Sequence, residues 1–101
     1  MYDVLEGFLT GYLHQDWDAE YDSDTEAAQD FASSEPLEQI KLLLGEVAIL
    51  TTLDDDAQFD SVLASFRLDY LPQSETRRDW LRRLAAAIAI SAAQRAVRDS
   101  L

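Results

Sequence analysis

The chain has 101 residues, with 20 acids against 8 Lys and Arg, a net charge of −12 and no cysteine. That length predicts one domain spanning 1–101 with a modest core, and a hydrophobic content of 48% argues for a folded chain despite the charge. The negative field excludes general phosphate binding, and the absence of thiols excludes cysteine chemistry and cysteine-based zinc sites.

Val4, Leu5, Phe8, Leu9, Tyr12 and Leu13 recur at helical spacing, which predicts an amphipathic helix over 3–14. Gly7 and Gly11 lie on one side of it, each costing about 1 kcal/mol relative to Ala; a close helix crossing would account for them, as would plain tolerance. His14 falls in the last turn, where a positive imidazole suits the helix dipole. Residues 15–24 read as an acidic turn. Ser23 or Asp24 caps a second helix over 25–33, with Ala27, Ala28 and Phe31 inward.

Ser33-Ser34-Glu35-Pro36 reads as the start of a third helix, a serine cap followed by proline in the first turn. That helix runs to about Thr52, with Leu37, Ile40, Leu43, Leu44, Val47, Ile49 and Leu50 on a broad apolar face. Asp54, Asp55 and Asp56 open a fourth helix, where acids suit the N-terminal dipole. Phe59, Val62, Leu63 and Phe66 form its stripe. Leu71 is pushed out of the helical region by Pro72, so 68–72 is irregular. Ser74 or Thr76 begins the last helix, carrying Trp80, Leu81, Leu84, Ile88 and Ala92. Only Ser91 is polar between Leu84 and Ala93, so this helix is expected to be central and buried. The expectation is an all-α bundle of four to five helices.

Charge is unevenly placed. Met1 to Glu35 holds ten acids and no base, whereas residues 71–101 hold three acids and six arginines. Attraction between the ends favours compaction. Most of the N-terminal charge still has no base to meet it, and unpaired like charge costs stability. Asp16, Asp18, Glu20, Asp22 and Asp24 fall on every second residue and are expected to face water, with Trp17 and Tyr21 as anchors. Arg77, Arg78, Arg82 and Arg83 read as helix flanks that pair with internal acids.

Known chemistry does not fit these acids. A calcium loop needs glycine at its sixth position and glutamate at its twelfth; frames starting at Asp16, Asp18 and Glu20 place Tyr21 and Ala27, Ser23 and Gln29, or Thr25 and Phe31 there. No nucleophile elbow accompanies His14 and Asp16. Glycines only at 7, 11 and 45 make no phosphate-binding loop. No cofactor or metal is expected. No basic segment leads into a long apolar run at the N-terminus, and residues 84–90 are too short to span a bilayer, so a cytoplasmic location is expected.

The string Tyr12-Leu13-His14-Gln15-Asp16-Trp17-Asp18, followed by Tyr21 and an acidic helix with Phe31, resembles the Tyr-Phe-His-Gln-Asp-Trp pattern of CdiI-type immunity proteins of bacterial contact-dependent growth inhibition. Leu13 stands where the pattern has Phe. The rest matches in outline: a Leu-rich middle helix, an aromatic link at Tyr70, and an Arg-Asp-Trp-Leu start to the last helix.

The resemblance implies a small helical cytoplasmic protein that is no enzyme. It would bind a cognate toxin domain one to one, in at least one family case an RNase A-like ribonuclease. Tyr12, His14, Gln15, Trp17 and Tyr21 then read as architecture, although aromatics are also common hot spots. Asp16, Asp18, Glu20, Asp22, Asp24, Asp54, Asp55 and Asp56 are the candidate contacts to a basic toxin cleft. Two other readings are an acidic helical adaptor for another basic protein, and a small hydrolase built on His14.

Overall fold

Six helices follow one another in the computed structural model, which describes residues 2–100: α1 (Asp3–Tyr12), α2 (Trp17–Glu20), α3 (Asp24–Ser34), α4 (Leu37–Leu50), α5 (Asp56–Ser65) and α6 (Arg77–Ser100). The described residues contain no strand, so the architecture is all-α. The helix beyond the expected four to five is α2, a single turn inside the acidic stretch. α6 packs most extensively on α3 and also on α4, while α1 closes against α4 and α3.

Arginines on α6 report the helix directions. Arg83 meets Asp24 at the start of α3, and Arg95 reaches the carbonyls of Ala32 and Glu35 at its end; α3 and α6 therefore run in the same sense. Arg78 donates to the carbonyls of Thr51 and Leu53 past the end of α4, so α4 runs the other way. The same contacts satisfy orphan carbonyls and place cations at negative dipole ends. The N-termini are closed too. Ser23 Oγ accepts from the Glu26 amide and Thr76 Oγ1 from the Asp79 amide, as the sequence predicts for α3 and α6. α1 has no local side-chain cap. Its Leu5 and Val4 amides donate instead to Glu46 of α4, at 2.9 and 3.4 Å.

Several expectations change. Ser34 is the last residue of α3 and donates to Asp30, while Pro36 itself occupies the cap position of α4. The serine cap is lost because α3 extends into it. α1 ends at Tyr12, so His14 lies beyond its last turn, and its Nδ1 accepts from the Asp16 amide at 3.1 Å. Nothing lies within 4 Å of where a Cβ would sit on Gly7 or Gly11; no close crossing occurs there. α6 is buried on one face only: Trp80, Leu81, Leu84 and Ile88 are enclosed, but Ile90 is 59% and Val97 61% exposed. Helix neighbours cover α6 from the α3 and α4 sides and leave its outer alanines to water. Ile49 of α4 is likewise exposed.

Asp24 is the buried polar centre among the described residues. Its Oδ2 accepts from Trp80 Nε1 at 3.0 Å, Tyr70 OH at 3.2 Å and Arg83 Nη2 at 2.8 Å, while Oδ1 accepts from Arg83 Nη1 at 2.8 Å. Glu75 supports the other side of Arg83. Burial works to raise the Asp24 pKa, but the hydrogen bonds and charge of Arg83, then Trp80 and Tyr70, more than offset it and hold the carboxyl below its ordinary value. Burial, then the Asp24 charge, pushes Tyr70 up.

Two predictions follow from these contacts. Asp24→Asn destabilises the fold by about 2–3 kcal/mol at pH 7, since a buried pair loses one partner while Arg83 keeps partial solvent access. Because the folded-state pKa is depressed, this contribution is present above the unfolded value near 4 and is lost as pH falls through the folded value. Urea midpoints of wild type and variant should therefore converge below about pH 4, and a constant gap would refute the assignment. Glu46→Ala costs about 1 kcal/mol, as for loss of a cap, and hydrogen exchange should quicken first at the start of α1.

Candidate functional site

Water-facing acids concentrate between α1 and α3. Asp16, Asp18, Glu20 and Asp22 are all exposed, on α2 and its two flanks. A four-residue helix has little stability of its own, so its neighbours must hold it. The Trp17 amide donates to the His14 carbonyl, Ala19 to Asp16, and Tyr21 to Trp17, closing the turn. His14 braces it from within: Nδ1 accepts from the Asp16 amide, and Nε2 lies 3.3 Å from Glu20 Oε1.

Aromatic rings fasten this turn to the bundle on both sides. The Trp17 ring meets Tyr70 edge-on at 4.8 Å between centroids, and Tyr70 in turn meets Trp80 at 5.9 Å. Tyr21 stacks on Tyr12 at 6.5 Å and donates its hydroxyl to Asp30. Tyr12 packs on Phe31 and Phe8 and donates to Glu35 Oε1 at 3.0 Å. Burial, followed by the Glu35 hydrogen bond and charge, raises the Tyr12 pKa to about 12. Burial and Asp30 push Tyr21 up as well. Both phenols stay protonated and donating at neutral pH. Trp17, Tyr21, Tyr12 and His14 thus position the turn, while Gln15 is exposed.

The fifth acid of the row departs from the expectation. Asp24 is 6% exposed and faces Trp80 and Arg83, not water. The alternation of acids along 16–24 ends where α3 begins, and Ser23 capping turns the next side chain inward. The second group is partly engaged too. Asp55 Oδ1 caps α5 by accepting from the Ala57 amide at 2.8 Å, Asp56 lies 3.1 Å from Arg78 Nη2, and Asp54 is exposed. No hydrogen bond or ion pair among the described residues joins the two groups.

Three arginines of the basic cluster pair with acids: Arg77 with Asp60, Arg78 with Asp56, and Arg83 with Asp24 and Glu75. Arg78 also lies 4.5 Å from the Phe59 ring centroid. Arg95 carries no local sequence sign of its role, because the carbonyls it meets belong to residues 60 and 63 positions away. No three imidazole or carboxylate side chains among the described residues are grouped to hold a metal, and both His14 nitrogens face a backbone amide or a carboxylate. No described helix is long and apolar enough to cross a membrane. The site is a braced ridge of four exposed carboxylates.

Comparison with known proteins bears on that surface. A search of curated proteins and one of solved structures each give no match. The profile of the CdiI immunity protein family matches residues 1–88. That span includes the Tyr12–Tyr21 turn, the Asp24 network and the first half of α6, so the chain belongs to the CdiI immunity protein family.

Proposed function

We propose that this immunity protein neutralises its cognate toxin by placing Asp16, Asp18, Glu20 and Asp22 against a basic active-site cleft, in a one-to-one complex formed in the cytoplasm. The observation that carries the reading is the bracing of four exposed carboxylates by His14, Trp17 and Tyr21. Side chains held on a prearranged turn lose less freedom on binding than those on a mobile loop. A nuclease must attract phosphate, so its cleft is positive, and carboxylates placed there compete with substrate while steering fast encounter. Occlusion of this kind needs no chemistry by the immunity protein. Asp54 and Asp56 form a secondary set, and Asp24 supports the ridge from within.

Specificity between cognate pairs requires surfaces that differ, which fits a division of labour in this turn. The aromatic residues and His14 shape it, and the acids between them are free to vary.

Co-expression with the C-terminal toxin domain encoded beside this gene should restore growth and yield a stable one-to-one complex on co-purification. A folded protein that neither rescues nor co-purifies would leave an acidic adaptor as the better description. Within the complex, Asp18→Asn, Glu20→Gln and Asp22→Asn together should lower the association rate by at least tenfold at low salt. The melting temperature should stay the same or rise, because three mutually repelling charges are removed. Unchanged association at low salt would take this ridge out of the interface.

A further inference from the structure

Glycine is the poorest helix former after proline, and α1 carries two glycines that the fold does not require. Both Gly7 and Gly11 are exposed, with open space where a Cβ would stand. Gly7 also lines a surface groove of about 330 Å³ beside α1, at the junction with the end of α3 and the start of α4. Val4, Phe8, Tyr12 and Phe31 form its apolar wall, with the Phe8 and Phe31 rings 4.9 Å apart. Glu35 stands half-buried at its rim. Glu35 accepts the Tyr12 hydroxyl through Oε1 and keeps Oε2 outside that bond.

Each part of this groove suits one kind of occupant. Its volume lies at the bottom of the range for small-ligand sites, roughly 300–1,000 Å³; it admits one long side chain and no helix. The half-buried Val4 and Tyr12 take an aliphatic stem over the enclosed Phe8 and Phe31 rings, and the Tyr12 ring attracts a cation. A carboxylate rim favours a planar guanidinium, which it meets with paired hydrogen bonds. No Lys or Arg precedes Lys41, and Arg95, which reaches Glu35 from α6, is engaged with the Ala32 and Glu35 carbonyls. A side chain at position 7 would narrow the entrance.

We propose that this groove is a receptor for an arginine side chain projected by the basic toxin partner. It would be an anchor beside the acidic ridge, to which Tyr12 links it by stacking on Tyr21. The identity of the partner rests on the immunity reading; the chemistry of the groove does not.

The test separates the two. The full chain, labelled with ¹⁵N, is titrated with N-acetyl-arginine amide and with its neutral isostere N-acetyl-citrulline amide. Saturable shifts at the amides of Gly7, Phe31 and Glu35, with the arginine probe at least tenfold tighter, are expected. Equal response to both probes, no saturation, or shifts confined to 16–22 would overturn the proposal. Gly7→Leu fills the entrance without meeting another atom at its Cβ, so it should keep the fold and lose at least tenfold in arginine binding; unchanged binding counts against the groove. Gly45→Leu on α4, also in open space, is the control that should leave binding unchanged. Should Gly7→Leu fail to fold, Glu35→Gln supplies the same reading through loss of the rim charge. A protein that binds the arginine probe but fails to rescue growth would retain the groove and lose the immunity reading. Rescue without probe binding would do the reverse.

Discussion

A buried carboxylate is costly unless nearly all of its lone pairs are met, and Asp24 meets that condition with donors from two separate parts of the chain. Trp80 and Arg83 come from α6, Tyr70 from the irregular segment before it, and Asp24 itself from the first turn of α3. Satisfying one carboxylate therefore fixes the relative placement of α3, α6 and the connection between α5 and α6. Tyr70, held by Asp24, then offers its ring to Trp17, so the acidic turn inherits its position from the same network.

α6 acts as the electrostatic counterpart of the N-terminal half. Arg83 neutralises Asp24, Arg95 closes the end of α3, and Arg78 closes the end of α4. The three arginines lie along one helix at levels set by the helices they serve. With these three arginines committed internally, the four carboxylates of the ridge have no arginine or lysine partner among the described residues; His14 is the one basic side chain at hand.

Much of the fold is readable from the sequence for local reasons. The 3.6-residue periodicity of Leu5, Phe8 and Leu9, and of Ile40, Leu43, Val47 and Leu50, locates α1 and α4. Ser23 and Thr76 announce caps, and Pro72 marks the irregular segment. The errors share a cause. Ser34 is a competent cap, but α3 continues through it once Arg95 stabilises its end. The apolar length of α6 looks central, yet burial depends on which neighbours exist, and α3 and α4 cover mainly one face of it. The glycines of α1 invite a crossing helix, and their open surroundings direct attention to the groove instead.

The same division holds for the site. Composition and residue type alone determine an acidic, cysteine-free helical protein with its negative charge at one end, because these properties are sums over the chain or depend on neighbours a few residues apart. The Tyr12–Trp17 string marks the turn for the same local reason. Which acids face out was decided by tertiary structure. Asp22 and Asp24 are alike in type and adjacent in the alternation; Ser23 marks the helix start between them, but no residue from 16 to 24 signals that the Asp24 charge is buried. The distinction comes from Trp80 and Arg83, more than fifty residues away, whose donors draw Asp24 inward while the others remain in water. Burial of a charge is set by partners that only the folded chain brings within hydrogen-bond reach.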